Sequence, residues 1–390
     1  SLSLSLSLSL SLSLSLLSSL SHSCYRTTQL NTQHSQHSQY TTLTTLTIHN
    51  THNTHNTHNT TCSQHTSAIR AIDPDIVALQ ECSAKTTMLL ASQLGPPFIG
   101  HGPSGVITKF KVRRSLLHPS DPKLPGWGVE LETPGGVVLR VFNSHLTAYP
   151  YGPYMLRDGK TVREVEEQMG ALQGNQMARL LKELIEPLLC KECEREKGVE
   201  EASAGVVSLV IGDHNIPSHL DHTEETLRES SYAAARGLWE DNADVDKPRP
   251  KNYAVDTSRL ARWPVSRSLE EAGFKDAFRI CHPDPVSVPG VTWTCGTTTT
   301  PHHSTPHHTT THHHSYSLIL IKSGAPKGVF EHNEVHDRID YIYYHDNPQH
   351  VFPLQAETID CIPDTPNGKK VFWPTDHRAV WVRLVYFMNS

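Results

Sequence analysis

Short apolar runs that end abruptly in polar side chains are the feature of this sequence that most restricts its fold. Residues 75–80 read DIVALQ, residues 137–146 read VVLRVFNSHL and residues 206–211 read VVSLVI. Runs of this kind, rich in β-branched residues, are typical of buried strands. Residues 339–344 and 380–387 add two strands rich in aromatic and β-branched side chains.

The spacing of apolar residues changes between the second and third of these runs. Residues 162–189 carry them at helical intervals, and a shorter helix is predicted at residues 266–272. Helices therefore alternate with strands, yet several strands follow one another directly. This pattern predicts a layered α+β domain with one substantial core.

Charge is distributed very unevenly along the chain. Residues 1–66 hold a single charged side chain, Arg26, and residues 297–314 hold none. The formal net charge is -6, which argues against a protein whose affinity comes mainly from coating nucleic-acid phosphates.

Both charge-poor segments have low sequence complexity. Residues 1–16 repeat Ser-Leu, and His-Asn-Thr triplets follow later in the first segment, so residues 1–66 are predicted to be disordered. Residues 67–390 are predicted to form the domain, with residues 297–314 as a disordered His/Thr-rich insert. Its seven histidines lack the defined spacing of a metal site.

Other sequence signals are weak. We expect neither a signal peptide nor a membrane-spanning helix, because Ser interrupts the Leu residues and no run of about 18 apolar residues exists. Cys190 and Cys193 form a C-x-x-C pair without a second pair, which favours free thiols over a zinc ribbon.

Five polar clusters follow the predicted strands. They are Gln80-Glu81, Asn143-Ser144-His145, Gly212-Asp213-His214-Asn215, Asp337-Arg338-Ile339-Asp340 and Thr375-Asp376-His377. One such cluster alone is typical of a turn or a helix cap. Together they supply carboxylates, amides and imidazoles without a nucleophilic Ser or Cys elbow. This set suits hydrolysis of a phosphate ester by water activated at a hard divalent cation.

The order and wording of these clusters resemble the endonuclease/exonuclease/phosphatase superfamily, which has the deoxyribonuclease I-like fold. The matching pieces are DPDIVALQEC (73–82), FNSHL (142–146), VIGDHN (210–215), DRIDYIYY (337–344) and PTDHRAV (374–380). They span the chain from residue 68 onward, apart from the His-rich insert. The resemblance implies a four-layered α/β/β/α sandwich with the site at one end.

The resemblance also implies roles for individual residues. Glu81 and Asp376 look like metal-side carboxylates for Mg²⁺, with Mn²⁺ as the alternative. Asp213 resembles the residue that orients or deprotonates the attacking water, and Asn215 resembles the amide that holds a phosphate oxygen. His145 and His377 (the latter in the last cluster) look like the imidazoles that contact the scissile phosphate.

The acidic partner of His377 is ambiguous, because family branches place it on either side of the Arg-Ile pair. The wording RIDY favours Asp340, with Asp337 as the alternative. Such an acid fixes the imidazole tautomer and favours its protonated form. His214 is expected to be structural, since alternation along a strand places it opposite Asp213 and Asn215.

One departure from the family pattern concerns the first strand. Family members open with a strand that ends in an Asn, and repeats occupy that place here up to residue 67. In the family this Asn helps to organise the metal site. We therefore expect the opening strand to be missing here, and we assign that role to none of Asn50, Asn53, Asn56 and Asn59. This favours, as an alternative function, a catalytically impaired member that acts as a binding module.

The substrate is predicted only by class. Tyr149, Tyr151, Tyr154 and Arg157 follow the second strand, where they are suited either to stacking bases and clamping a phosphate or to anchoring a loop. The acidic net charge favours a small or single-stranded phosphoester over duplex DNA. We expect a monomeric phosphodiesterase or phosphatase, with a nuclease acting on DNA or RNA as the alternative.

Overall fold

The computed structural model describes residues 38–47, 55–116, 124–189, 206–229, 260–293, 337–345, 351–359, 375 and 377–387. The strands are β1 Ser38–Thr47, β2 Ile76–Gln80, β3 Ile99–His101, β4 Val106–Thr108, β5 Lys111–Leu116, β6 Gly126–Glu132, β7 Val138–His145, β8 Val206–Asp213, β9 Phe274–Asp276, β10 Asp340–His345, β11 Val351–Ile359 and β12 Ala379–Phe387. The helices are α1 His55–Ile72, α2 Ala84–Leu94, α3 Gly152–Arg157, α4 Val162–Met169, α5 Asn175–Leu180, α6 Glu186–Leu189, α7 Glu224–Glu229, α8 Pro264–Glu271 and α9 Ala277–Cys281.

The strands form two mixed six-stranded sheets. The first has the order β11-β12-β1-β2-β4-β3, and the second has the order β5-β6-β7-β8-β10-β9. Each sheet contains one parallel pair, β1 with β2 and β7 with β8, between antiparallel neighbours. The predicted α+β class is confirmed.

Alternating side chains divide the apolar residues of each central strand between two cores. On β2, Ile76 belongs to a cluster shared by both sheets, whereas Val77 belongs to a cluster with α1 and α2. On β8, Leu209 lies in the shared cluster and Val210 packs with α4, α5 and α8. Strand alternation thus produces one core between the sheets and a helix-covered core on the other face of each.

The opening strand that the sequence led us to expect as missing is present. β1 lies near the middle of the first sheet, antiparallel to β12 and parallel to β2. Its sequence SQYTTLTTLT is rich in Thr, a β-branched residue that favours strands, and Thr41 and Thr44 are buried. The prediction that residues 1–66 are disordered was therefore wrong for residues 38–47, as it was for the part of α1 before residue 67.

The predicted helix at residues 162–189 is confirmed as one continuous helical stretch. It comprises α4, α5 and α6, joined by π-helical turns at Gly170–Gly174 and Leu181–Ile185. In the described part of the chain, every helix is too short or too polar to cross a bilayer. The insert at residues 297–314, Cys190, Cys193 and Asp376 lie outside the described residues.

Candidate active site

Sheet register brings three of the predicted site residues side by side. Asp213, the last residue of β8, is the direct partner of His145 on β7 and of Asp340 on β10. Neighbours in register project from the same face of a sheet, so their side chains converge although the residues are far apart in sequence.

His377 completes this group through Asp340. Its Nδ1 atom lies 2.8 Å from Asp340 Oδ2, and both residues are buried. The backbone N–H groups of Ile339 and Asp340 both donate to Thr292 Oγ1, at 3.0 and 3.1 Å. The ring of Trp293 lies 4.7 Å from that of His377, centroid to centroid. The pair is therefore held from both sides.

Asp337, the alternative partner, faces other residues. Its carboxylate accepts hydrogen bonds from Tyr151 Oη at 2.7 Å and from His222 Nε2 at 3.0 Å. Trp263 Nε1 donates to the other nitrogen of His222 at 3.0 Å. Asp337 therefore anchors the loop that carries Tyr151, while Asp340 contacts His377.

Asp213 is buried close to other acidic side chains. Oxygen and nitrogen ligand atoms of Asp213, Asp340 and His377 all lie within 4.8 Å of one another. Burial raises the pKa of Asp213 to about 8, and the nearby Asp340 carboxylate adds to the rise while His377 opposes it. Carboxylates crowded in this way repel one another, and a hard divalent ion bound beside them would reduce that repulsion.

Glu81 and His145 border the same group. His145 Nε2 lies 3.7 Å from Glu81 Oε1 and 3.7 Å from Asp213 Oδ2. Both Glu81 and His145 are partly exposed, at 28% and 36% of their side chains, whereas Asp213 is buried. The cluster is thus open to solvent on the side of Glu81 and His145.

Two residues of the site have left-handed backbone conformations. Glu81 has φ 54° and Asn215 has φ 51°, which is unfavourable for residues with a Cβ atom and occurs often at functional sites. The backbone N–H of Asn215 donates to Asp213 Oδ1 at 2.8 Å, and its Nδ2 donates to Leu146 O at 2.9 Å. Asn215 therefore orients Asp213 through its backbone, while its side-chain amide, expected to hold a phosphate oxygen, donates to Leu146 O.

Gly212 explains why the segment before Asp213 approaches β7 so closely. Its φ is 146°, and a Cβ atom there would lie 1.8 Å from the carbonyl oxygen of Ser144. Only glycine fits such a position. The next residue but one, His214, points away from Asp213, contacts Ser144 Oγ at 3.1 Å through Nε2 and stacks on Tyr341. Its placement agrees with the structural role expected for it.

The aromatic loop after β7 serves mainly the fold. Tyr151 is buried, so its predicted substrate contact is corrected: the hydroxyl is committed to Asp337. Tyr154 packs edge-to-face on Tyr151 at 4.9 Å. Tyr149 is 69% exposed and remains open to a ligand. The side chain of Arg157 lies outside the described residues.

Sequence reasoning missed a pair of glutamines that hold the chain just after His145. Gln176 Oε1 accepts from the backbone N–H of Thr147 at 2.9 Å, and its Nε2 donates to Thr147 Oγ1 at 2.7 Å. Gln173 Nε2 donates to Thr147 O at 2.8 Å. The signal was two polar residues, spaced three apart, on the apolar face of a helix.

A buried group of charged side chains supports the segment that leads into Asp340. Arg338 Nη2 lies 2.9 Å from Asp221 Oδ2 and 2.6 Å from Asp276 Oδ2. Arg279 also contacts Asp221. The charges of two arginines thus balance those of two aspartates, which makes the burial of these ion pairs tolerable. The pairing also fixes the segment that leads into Asp340.

No family model matches the chain. The chain is 26% identical over 324 residues to an uncharacterized protein of Caenorhabditis elegans, F14F9.5, over 82% of this chain and 83% of that protein. The solved structures that are similar to the chain include the following two. TDP2 of D. rerio, complexed with single strand DNA product, is 12% identical over 88% of this chain and 98% of that chain, with a TM-score of 0.44.

The other is an endonuclease/exonuclease/phosphatase family protein from Bacteroides thetaiotaomicron. It is 13% identical over 90% of this chain and 99% of that chain, with a TM-score of 0.42. Identities and TM-scores of this size carry no functional conclusion.

Proposed function

We propose that this protein is a phosphoester hydrolase of the endonuclease/exonuclease/phosphatase type that depends on a divalent cation, Mg²⁺ or Mn²⁺. One observation carries the proposal. Carboxylates and imidazoles from β7, β8, β10 and the segment before β12 meet in one cluster, with Asp213, Asp340 and His377 within 4.8 Å of one another. An isolated carboxylate cluster or an isolated His-Asp pair would not support it.

The roles follow from geometry and chemistry. Glu81 at the open side, together with Asp376, would hold the cation. A cation held there would supply neutralisation of charge on a phosphoester oxygen. Asp213, with its proton affinity raised by burial, accepts a proton from the water that attacks phosphorus in line with the leaving oxygen. Asn215 holds Asp213 in orientation through its backbone N–H.

The two imidazoles stabilise the charge that accumulates on the phosphoryl oxygens. Asp340 accepts a hydrogen bond from His377 Nδ1, which fixes the tautomer and leaves Nε2 as the atom for the substrate. His145, 3.7 Å from both Glu81 and Asp213, lies at the border between the cation side and the water side. Hydrogen-bond donors placed there before the reaction lower the barrier.

The alternative function, a catalytically impaired binding module, rested on a missing first strand and on the Asn that ends it. β1 supplies a strand beside β2, which weakens that support, whereas residues 48–54, which follow β1, lie outside the described residues. Among active forms, a phosphodiesterase or phosphatase acting on a small or single-stranded substrate is favoured by the net charge of -6. A nuclease acting on DNA or RNA remains the second candidate.

The test is hydrolysis of a substrate panel by the full chain. The panel comprises p-nitrophenyl phosphate, bis-p-nitrophenyl phosphate, single-stranded DNA and RNA, and plasmid DNA, each with Mg²⁺, Mn²⁺ or EDTA. We expect metal-dependent cleavage that falls at least 100-fold in Asp213→Asn. Glu167→Gln, an exposed acid on α4, is the matched control and should cleave like the wild type. A folded wild-type protein that cleaves none of the panel would refute the proposal.

A further inference from the structure

The two sides of the proposed active site belong to different sheets. Glu81 follows β2 of the first sheet, whereas His145 ends β7 and Asp213 ends β8 of the second sheet. His145 Nε2 lies 3.7 Å from Glu81 Oε1 and 3.7 Å from Asp213 Oδ2. The separation between the cation side and the water side therefore depends on how the two sheets are held together at this end.

Along most of their length, β2 and β7 face each other through apolar side chains. Ile76 and Ala78 on β2 and Leu139 and Val141 on β7 all belong to the core between the sheets. Apolar contacts are non-directional. They hold the sheets together, but they tolerate small shifts of one sheet against the other.

Next to the site, two buried amides replace these apolar contacts. Alternation along a strand places Gln80 on the same face of β2 as Ala78, and Asn143 on the same face of β7 as Val141. Both amide residues are buried, and Gln80 Nε2 donates to Asn143 Oδ1 at 2.6 Å. The sheets are therefore joined by a directional bond immediately before Glu81.

Asn143 makes two further bonds to the first sheet. Its Nδ2 donates to Leu79 O at 2.9 Å and to Ser104 O at 2.8 Å, the latter in the turn between β3 and β4. Both acceptors are carbonyl oxygens, which cannot donate, so the partners determine which way the amide faces. One side chain on β7 thus holds the end of β2 and this turn together.

The turn is itself fixed in place. Ser104 Oγ lies 2.7 Å from His101 Nδ1, and His101 Nε2 lies 2.6 Å from Ser115 Oγ on β5 of the second sheet. Gly105, which follows the turn, has φ 65°, and a Cβ atom there would lie 2.9 Å from Asn143 Nδ2. Glycine therefore allows the close approach of the backbone to the amide.

Glu81 depends on such support because its backbone is strained. Its φ of 54° lies in the left-handed region, and a conformation of this kind persists only where the surrounding structure holds it. Asn143 bonds to both residues that directly precede Glu81, Leu79 and Gln80. The position of the Glu81 carboxylate therefore follows from the position of this amide.

We propose that Asn143 is a positioning residue, whose amide sets the distance of Glu81 from His145 and Asp213. It lies two residues before His145 on β7, so a change at position 143 acts on both sides of the site. This role rests on the proposed function and adds a residue that acts through Glu81. Loss of the amide should weaken cation binding and lower kcat, with little change in KM for the substrate.

The test compares two truncations on the same face of β7. Asn143→Ala removes the three bonds, and the adjacent cavity of about 290 Å³, which Asn143 lines, lets water reach the carbonyl oxygens left behind. Val141→Ala, the matched control, truncates a side chain in the apolar core between the sheets and leaves the amide in place. Urea unfolding measures how far each variant is destabilised.

The first readout is Mn²⁺ binding without substrate, measured by electron paramagnetic resonance. The Kd of Asn143→Ala should be about 10- to 100-fold higher than that of the wild type, as is typical when a group that orients metal ligands is removed. Val141→Ala should bind Mn²⁺ like the wild type, even if it is equally destabilised. An unchanged Kd in Asn143→Ala, or an equal rise in both variants, would overturn the positioning role.

The second readout is turnover of whichever panel substrate the wild type cleaves, at saturating Mn²⁺. In Asn143→Ala we expect kcat to fall by up to about 100-fold, the effect of misplacing a group by about 1 Å, with KM nearly unchanged. Val141→Ala should keep the wild-type kcat. Gln80→Met removes the bond from Gln80 Nε2 and keeps the length of the side chain. It should show a smaller change in the same direction, and it decides the question if Asn143→Ala does not fold.

The two readouts separate this role from the proposed function. If the wild type cleaves a substrate and Asn143→Ala behaves like Val141→Ala, the positioning role is wrong and the hydrolase proposal stands. If the wild type binds Mn²⁺ but cleaves nothing, and Asn143→Ala binds Mn²⁺ more weakly, the proposed function is refuted and the positioning of Glu81 stands. A wild type that binds no Mn²⁺ would overturn the positioning role and the cation dependence together.

Discussion

His377 Nδ1 and Asp340 Oδ2 lie 2.8 Å apart, although the two residues are 37 positions apart in the chain. Both are buried. Asp340 on β10 also lies directly opposite Asp213 on the neighbouring strand β8. The Asp340 carboxylate therefore orients the imidazole and also adds to the rise in the pKa of Asp213 that burial chiefly causes. Asp340 therefore links the proton acceptance proposed for Asp213 to the charge stabilisation proposed for His377.

The first prediction separates Asp340 from Asp337. Asp340→Asn leaves His377 with an amide in place of a carboxylate, so we expect kcat to fall at least 100-fold and the pH dependence of kcat to change. Asp337→Asn weakens the bonds to Tyr151 and His222. It should lower thermal stability and leave the shape of the pH profile unchanged. The opposite outcome would assign the histidine partner to Asp337.

The second prediction concerns Gln176, which holds Thr147 two residues after His145. Gln176→Leu removes both of its hydrogen bonds to Thr147. We expect kcat to fall about tenfold with little change in KM, because His145 would be less well positioned. Gln176→Glu should recover part of the loss, since it can still accept from the Thr147 N–H. Asn175→Ala, on the exposed side of the same helix, is the control, and an equal effect there would indicate a general loss of helix stability.

The third prediction uses metal binding as a stability measurement. If Glu81 holds the cation, saturating Mg²⁺ should raise the Tm of the wild type by mass action, and Glu81→Gln should lose most of this rise. Glu167→Gln should retain it. Differential scanning fluorimetry with and without EDTA measures both. An equal rise in all three proteins would indicate binding elsewhere on the chain.

The fourth prediction is an acid-dependent loss of stability from His214. Burial lowers the pKa of His214 to about 3, against an ordinary value of 6.5. Between these values the unfolded chain binds a proton that the folded protein excludes. Stability therefore falls as pH drops from about 6.5 toward 3, by at most about 1.4 kcal/mol per pH unit.

Urea unfolding at pH 7, 6 and 5 tests this prediction. His214→Phe keeps the stacking on Tyr341 and removes the titration, and Ser144 Oγ retains its bond to Ile211 O at 3.3 Å. The variant should lose less stability than the wild type over this pH range, even if it is less stable at pH 7. Parallel pH dependence in the two proteins would contradict the burial of a neutral His214.

The sequence predicted the strands that a local apolar pattern marks. It did not predict the strand whose formation depends on pairing with segments far away in the chain. The strands containing Val77, Val141 and Leu209 were predicted, because a buried strand needs a continuous apolar run. β1 was not, since its threonines resemble the neighbouring repeats and become strand residues only through pairing with β2 and β12.

The candidate site shows the same division. The polar clusters at strand ends were visible in the sequence, but the burial of Tyr151 could not be foreseen, because it depends on Asp337, which is 186 residues away. The clamp of Gln173 and Gln176 on Thr147 was missed for a related reason. Polar residues on an apolar helix face predict a buried partner without identifying it.

The last prediction tests the close approach of β7 and β8 at the site. In Gly212→Ala the new Cβ would lie 1.8 Å from Ser144 O, so the two strands must separate next to Asp213. We expect a loss of several kcal/mol in unfolding free energy, or failure to fold. Gly159→Ala is the matched control: its φ is 88°, but nothing lies within 4 Å of the added Cβ, so only the backbone cost of about 1–2 kcal/mol applies. Equal losses in the two variants would mean that backbone conformation, and not the contact with Ser144, requires glycine at position 212.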